Sequence, residues 1–116
     1  MTNFGKQVQF DTIREVAFGA LSDTYVNCGG VLTKLPRIIK FTNNTDETVY
    51  FTDATADKVK LPAYSFELWD VTANKAFEDL PQFFSKGIQF KCRYITGSAP
   101  SLGWASIEIL TVMTGN

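Results

Sequence analysis

The stretch Ile88-Gln89-Phe90-Lys91-Cys92-Arg93-Tyr94 decides the fold, because apolar and polar residues alternate along it without interruption. A strand turns successive side chains to opposite faces, so one face of this stretch is apolar and the other is polar. One buried face and one solvated face are typical of a strand in an antiparallel sheet. The apolar face consists of Ile88, Phe90, Cys92 and Tyr94, and the polar face of Gln89, Lys91 and Arg93.

The chain after this strand predicts a loop and one last strand. Residues 96–103 are rich in Gly, Ser and Pro, which is typical of a loop. Residues 104–113 then place one apolar set in phase, namely Ala105, Ile107, Ile109 and Met113. Leu110 and Val112 make the other face apolar as well, which indicates that the core or a neighbour covers both sides of this strand.

The chain before Ile88 contains further short β-rich runs separated by turn residues. Residues 37–42 and 48–52 flank the turn-forming residues 43–46, a pattern that predicts a β-hairpin. Residues 64–69 alternate, with Phe66 and Leu68 on one face and Ser65, Glu67 and Trp69 on the other. The remaining predicted strands are residues 7–10, 14–18, 24–26 and 59–61.

This pattern predicts an all-β protein. Roughly seven to nine short strands with frequent turns favour an antiparallel β-sandwich, either jelly-roll or immunoglobulin-like. Strands do not alternate with helices, so a parallel sheet is not expected. A chain of 116 residues fits one domain, and we assign residues 1–116 to it, with residues 1–7 as a possible extended arm.

The composition argues against an enzyme. The chain has no His, which removes the commonest general base and the imidazole metal ligand. With only two Cys and no His, a structural zinc site is excluded, and we predict no catalytic residue, cofactor or metal. Cys28 and Cys92 are expected to be small buried residues, with a disulfide between them as the alternative.

Two polar clusters invite a functional interpretation. Asp53 and Asp57 resemble the start of a calcium loop, but Lys58 and Tyr64 occupy the positions where that loop needs Gly and Glu. A polar hairpin turn is therefore expected there. Basic and aromatic residues would suit a single-stranded nucleic acid, but a solvated strand face is favoured; they are Lys86, Lys91, Arg93, Phe84 and Tyr94.

The charge and hydropathy predict neither a nucleic-acid nor a membrane partner. The net charge is −1 and the pI is 5.3, without the basic excess that both partners favour. No segment approaches the ~20 apolar residues that span a bilayer. The first ten residues lack the apolar core of a signal peptide, so we expect assembly in a cytoplasm.

Aromatic residues make up 14% of the chain, a fraction that favours protein contacts as well as a core. Both Trp residues lie on the more polar face of their predicted strands, where they would be contact anchors unless another segment covers them. A Phe-rich stretch either caps one end of the sandwich or docks on a partner. The candidate interface residues are Trp69, Trp104, Phe77, Phe83, Phe84 and Tyr64.

Several stretches resemble a group of small virion structural proteins of tailed bacteriophages. The resemblance includes residues 14–20, 37–46 and 88–91, and it is strongest in Leu61-Pro62-Ala63-Tyr64-Ser65-Phe66-Glu67-Leu68-Trp69-Asp70-Val71-Thr72-Ala73-Asn74-Lys75. Thr52-Asp53-Ala54 stands where this group has a Ser-Asp-Gly-like turn, so the turn type is expected to differ. The matching residues belong to strands and turns, and none forms a reactive motif.

The resemblance implies a structural component of a tailed-phage virion, assembled in the host cytoplasm. The resemblance does not give the place in the particle, because such proteins occur at the head–tail neck, as collar or adaptor rings, and as head decoration. We expect a homo-oligomer at the neck or collar, in contact with other virion proteins such as portal, adaptor or capsid. A capsid-decoration (cement) protein is the alternative within the same group. A carbohydrate- or receptor-binding module is a further alternative, which would need exposed aromatic side chains beside polar residues.

Overall fold

The computed structural model describes residues 7–34, 36–53, 57–70 and 87–113. In this part of the chain the regular structure is antiparallel β, with one short 3-10 turn at Phe18–Ala20. The strands are β1 Gln7–Phe10, β2 Arg14–Ala17, β3 Val26–Asn27, β4 Pro36–Thr45, β5 Val49–Thr52, β6 Val59–Leu61, β7 Ser65–Asp70, β8 Lys91–Tyr94 and β9 Gly103–Met113.

The strands form two packed sheets. The five-stranded sheet has the order β1-β9-β4-β7, with β2 also paired to β9, and the four-stranded sheet has the order β3-β8-β5-β6. Because β1 and β2 pair with different parts of β9, they act as one interrupted strand. When β1 and β2 are counted as one strand, each sheet has four strands. The chain then passes between the two sheets in the order of a jelly roll. The predicted β-sandwich is confirmed, and its order is that of the first of the two predicted variants.

The core lies between the inner faces of the sheets, with Phe41 of β4 at its centre. Its ring centroid is 5.3 Å from that of Phe51 and 5.9 Å from that of Phe90, both on the facing side. All three rings are buried. Burial of one such side chain stabilises the fold by roughly 1.5–3 kcal/mol. Aliphatic side chains complete this core, among them Ile39, Val49, Ile107 and Ile109.

The alternation in the stretch 88–94 is confirmed. Phe90 and Cys92 are buried, and Ile88 and Tyr94 pack against the core. The last strand follows its prediction as well, because its inward set is buried; that set is Ala105, Ile107 and Ile109. A period of two therefore identified the inner faces of both strands.

The predicted hairpin across residues 43–46 is wrong. β4 belongs to the five-stranded sheet and β5 to the four-stranded sheet, so the connection crosses the sandwich. β4 also continues through Asn43 and Thr45, which are fully buried. Turn propensity is local, whereas the partners of Asn43 lie in another segment of the chain. The hairpin that does form joins β5 to β6, as expected for the polar residues that follow Thr52.

Three segments meet at a polar corner, which we define as residues 43–47, 61–65 and 101–103. The side-chain nitrogen of Asn43 donates hydrogen bonds to the carbonyl oxygens of Glu47, Leu61 and Pro62, at 2.7, 3.0 and 3.1 Å. Its Oδ1 accepts from the hydroxyl and the amide of Thr45, at 2.6 and 3.0 Å. Both ends of this buried amide are therefore satisfied inside the protein.

The segment 101–103 completes the polar corner. Asp46 accepts from the amide of Ser101 at 2.8 Å and from its hydroxyl at 2.5 Å. These hydrogen bonds lower the pKa of Asp46 below its ordinary value. Gly103 has a φ of 89°, and a Cβ added there would lie 1.8 Å from the carbonyl oxygen of Asn44. The backbones approach so closely that only Gly fits.

Arg14 fastens β2 to the loop that follows β3. Its Nε donates to the carbonyl of Gly30 at 3.2 Å, its Nη2 donates to that of Val31 at 3.3 Å, and its Nη1 pairs with Asp11 at 3.2 Å. The side chain is only 6% exposed, so these bonds replace its hydration. A Cβ on Gly29 would lie 2.3 Å from Cγ of Arg14, which explains the glycine at that position.

Candidate interaction surface

The outward side of the five-stranded sheet carries large exposed apolar side chains. Phe10 is 88% exposed, Phe66 61%, Leu68 58% and Trp104 41%. Monomeric proteins rarely expose a contiguous surface of this kind, so it marks a candidate site of protein association. We name it the apolar face and define it as Phe10, Glu15, Ile38, Lys40, Phe66, Leu68, Asp70, Trp104, Glu108 and Leu110.

The strand register explains why these side chains lie together. Leu110 of β9 stands opposite Phe10 of β1 on one side and opposite Ile38 of β4 on the other. Neighbouring strands lie about 4.8 Å apart, so the three side chains form a row of about 10 Å across the sheet. Their alternating neighbours point into the core, as Ile39 and Ile109 do. The row is thus the reverse side of the same strands that build the core.

An ion pair lies in the middle of the apolar face. Lys40 stands opposite Leu68 on one neighbouring strand and Glu108 on the other. Its Nζ lies 3.9 Å from Glu108 and 4.9 Å from the centre of the Phe66 ring. Both charged side chains are exposed, and a pair of this kind contributes at most about 1 kcal/mol to stability. A pair of this kind affects the orientation of a bound partner more than the stability of the monomer.

Two predicted interface residues are exposed near the far end of this face. Trp104 stands opposite Asn44 on β4 and Ala17 on β2. Tyr64 is 60% exposed and has a φ of 56°, in the turn that leads into β7. Both side chains are therefore accessible to a partner.

The other predicted candidates are placed differently. Trp69 packs against the core, with its ring 6.2 Å from that of Phe41, and its Nε1 donates to Glu67 at 2.6 Å. The face that the sequence marks as more polar is therefore the inner one, and Phe66 and Leu68 form the outer one. The alternation separates the two faces of β7. Each face carries an aromatic residue, so the sequence does not decide which of them is buried. The remaining candidates lie outside the described residues; they are Phe77, Phe83 and Phe84.

The outward side of the four-stranded sheet has a different chemistry. Arg93 makes a two-point ion pair with Asp57, at 2.7 and 3.2 Å, which raises the pKa of the guanidinium. The guanidinium carbon also lies 4.8 Å from the ring centre of Tyr50 and 5.5 Å from that of Tyr25. The hydroxyl of Tyr25 bonds to Asp57 as well. We name this surface the basic face and define it as Tyr25, Tyr50, Asp57, Lys60, Lys91 and Arg93.

The two cysteines form a buried thiol pair. Cys28 and Cys92 are fully buried and free, as the sequence predicted. The hydrogen bond that the Cys92 thiol shares with Cys28, together with burial, raises the pKa of Cys92, so this thiol stays protonated. A protonated, inaccessible thiol is a poor nucleophile, and we assign the pair to packing.

A small cleft lies between the two sheets. It has a volume of about 100 Å³ and is lined by Phe41, Thr52, Asp53, Lys58, Val59, Trp69 and Phe90. Lys58 and Asp53 form an ion pair of 3.1 Å on its polar side. Over the described ranges, no three Cys, Asp or Glu side chains gather as a metal-binding group. No helix in that part of the chain is long and apolar enough to span a membrane.

Comparison with protein-family models, with curated proteins and with solved structures found no match to this chain.

Proposed function

We propose that this chain is a structural protein of a tailed-phage virion that assembles as a homo-oligomer at the head–tail neck or collar. The exposed apolar face is the observation that carries the proposal of assembly. The place in a virion is supported by the sequence resemblance, and the jelly-roll order agrees with it because viral capsid proteins use this fold. A fold alone does not decide function, so the surface is the stronger argument.

The outward side of the five-stranded sheet approaches the size of a standard protein interface. β4 is 10 residues long, which gives about 33 Å, and four strand positions across give about 19 Å. The projected area is therefore on the order of 600 Å², and the accessible area of a corrugated surface is larger. A standard interface buries about 800 Å² on each partner. A second copy of this chain can cover the face without any other protein.

The residues that carry the resemblance have structural roles in the polar corner. Asn43 and Thr45 bond to each other, and Asn43 reaches the carbonyl of Pro62. Ser65 donates to the same carbonyl at 2.6 Å. These residues fix the passage between the two sheets. These residues of the resemblance support a shared scaffold, and others, such as Phe66 and Leu68, lie on the apolar face.

Imaging of virions whose genome encodes this chain tests the location. We expect antibody against the chain to label one vertex, with a ring of several copies between head and tail in the reconstructed particle. Label spread over the head surface would favour the decoration alternative and contradict a neck position. Particles without the chain would contradict the virion role altogether.

A carbohydrate-binding module is a second candidate function, favoured by one observation. Trp104 is 41% exposed and stands opposite the polar Asn44, and sugars stack on such indoles beside hydrogen-bonding groups. Because Trp69 is half-buried, Trp104 would supply most of any fluorescence change on glycan binding. Saturable quenching that Trp104→Ala abolishes would support this candidate. A flat titration across a glycan panel would eliminate it.

A further inference from the structure

The two outward faces of the sandwich differ in the sign of the charge that remains after ion pairing. On the apolar face Lys40 is paired with Glu108, and the other carboxylates of that face are the exposed Glu15 and Asp70. On the basic face Arg93 is paired with Asp57. Lys60 and Lys91 are further cations there, and neither has an ion-pair partner among the described residues. The apolar face is thus acidic in balance and the basic face cationic.

The basic face also has the composition of an interface. Tyr and Arg are enriched where proteins bind each other. Here the guanidinium of Arg93 lies against two tyrosine rings and is fixed by Asp57, so the cluster is ordered before any contact forms. A preordered cluster loses little side-chain entropy on binding. The face can therefore meet aliphatic side chains without a large reorganisation.

We infer that copies of this chain associate head to tail, with the apolar face of one copy on the basic face of the next. This inference rests on the proposed homo-oligomer and specifies its contact. Packing of two apolar faces would bring together two surfaces of the same acidic balance, to which Glu15 contributes, whereas the head-to-tail contact brings that balance to Lys60 and Lys91. The two faces lie on opposite sides of one sandwich, so each copy can contact one neighbour through its apolar face and another through its basic face. Such a contact closes into a ring when its rotation closes.

Charge reversal of each face in turn tests the inference. One variant is Glu15→Lys with Glu108→Lys on the apolar face, and the other is Lys60→Glu with Lys91→Glu on the basic face. Each variant alone would place like charges across every contact. We expect the dissociation constant of each to rise at least about tenfold in sedimentation equilibrium, because like-charge juxtaposition is costly. Lys34→Glu, on an exposed loop residue, is the control and should associate like the wild type.

Mixing the two variants supplies the decisive comparison. Every contact in the mixture can pair a reversed apolar face with a reversed basic face, or two native faces. We expect equimolar mixing to restore association to the wild-type dissociation constant, in assemblies that contain both variants in equal number. If the Lys60→Glu, Lys91→Glu variant associates alone as well as the wild type does, the basic face takes no part and the inference is overturned. A wild-type chain that never associates would contradict the proposed function itself. Thermal unfolding of each variant confirms that it is folded before the comparison.

Discussion

The polar corner and the apolar face depart in opposite ways from the rule that polar residues are exposed and apolar residues are buried. Asn43 and Thr45 are polar and fully buried, yet each finds hydrogen-bond partners within the chain. Phe66 and Leu68 are apolar, yet more than half of each side chain is exposed. The corner is complete in one copy, whereas the face leaves these apolar side chains exposed. Changes in the corner should therefore affect folding, and changes on the face should affect association.

The largest effect is expected at Gly103 in the corner. Gly103→Ala would place a Cβ 1.8 Å from the carbonyl oxygen of Asn44, at a φ of 89°. We expect a loss of about 3 kcal/mol or more in the free energy of unfolding, since backbone must move to relieve the contact. Gly97 has the same φ but an open environment, so Gly97→Ala is the matched control and should cost about 1–2 kcal/mol. Equal losses in urea unfolding would contradict the close approach of the two backbones.

Removal of the buried amide in the corner should have the next largest effect. Asn43→Ala leaves the carbonyls of Glu47, Leu61 and Pro62 without their shared donor. We expect a loss of about 2–3 kcal/mol in unfolding free energy, because the buried Thr45 amide then lacks its acceptor and the Leu61 carbonyl loses this donor, while the carbonyls of Glu47 and Pro62 keep only the hydroxyls of Thr45 and Ser65. Asn44→Ala alters the neighbouring residue, whose side chain points outward, and should change stability by only about 0.5 kcal/mol. An unaltered Asn43→Ala protein would mean that the corner does not hold the two segments together.

A charge placed on the apolar face should leave folding intact and weaken association. Leu68 is 58% exposed, so we expect Leu68→Lys to change the unfolding free energy by no more than about 0.5 kcal/mol. Its dissociation constant should rise at least about tenfold, since the contact would bury an added cation. Thr33→Lys adds the same charge to another exposed residue and controls for net charge. Loss of folding in Leu68→Lys would assign Leu68 to the monomer core and remove the contrast.

The smallest effect concerns pH and the carboxylate of the corner. The folded-state pKa of Asp46 is lowered by the Ser101 hydrogen bonds, so its stabilising contribution is present above the ordinary value of 3.8 and is lost as the pH falls through the folded pKa. Ser101→Ala removes the hydroxyl bond. We therefore expect it to be less stable than the wild type at neutral pH, with the difference shrinking below pH 3.8. A difference that is independent of pH in acid-unfolding curves would contradict this role.

The class of fold is predicted well because the recognition of strands and of their inner faces needs only local sequence information. A period of two in residues 88–94 and 104–109 identified the inner faces of β8 and β9, since each side chain alternates whatever the partner strand is. The same argument could not order the strands. Asn43 to Asp46 read as a turn within one sheet, and the actual crossing depends on Leu61, Pro62 and Ser101, which are distant in sequence.

The candidate surface was predicted only in part for a related reason. Trp104 and Tyr64 are exposed, as a contact role requires. In contrast, Phe66 and Leu68 look like core residues from their character, and Trp69 faces the core in their place. Which face of β7 is buried depends on the side of the sheet that the second sheet covers. Arg14 illustrates the same limit, since its burial depends on the carbonyls of Gly30 and Val31.

The central claim is that the apolar face is covered by another copy of this chain, and the mass of the purified chain in solution tests it most directly. Sedimentation velocity over a range of concentrations, read against a chain mass of 12.9 kDa, gives the number of copies in the particle. We predict a mass that is a whole multiple of this value and that falls toward it on dilution or in Leu68→Lys. A mass of one chain at every concentration would contradict the claim.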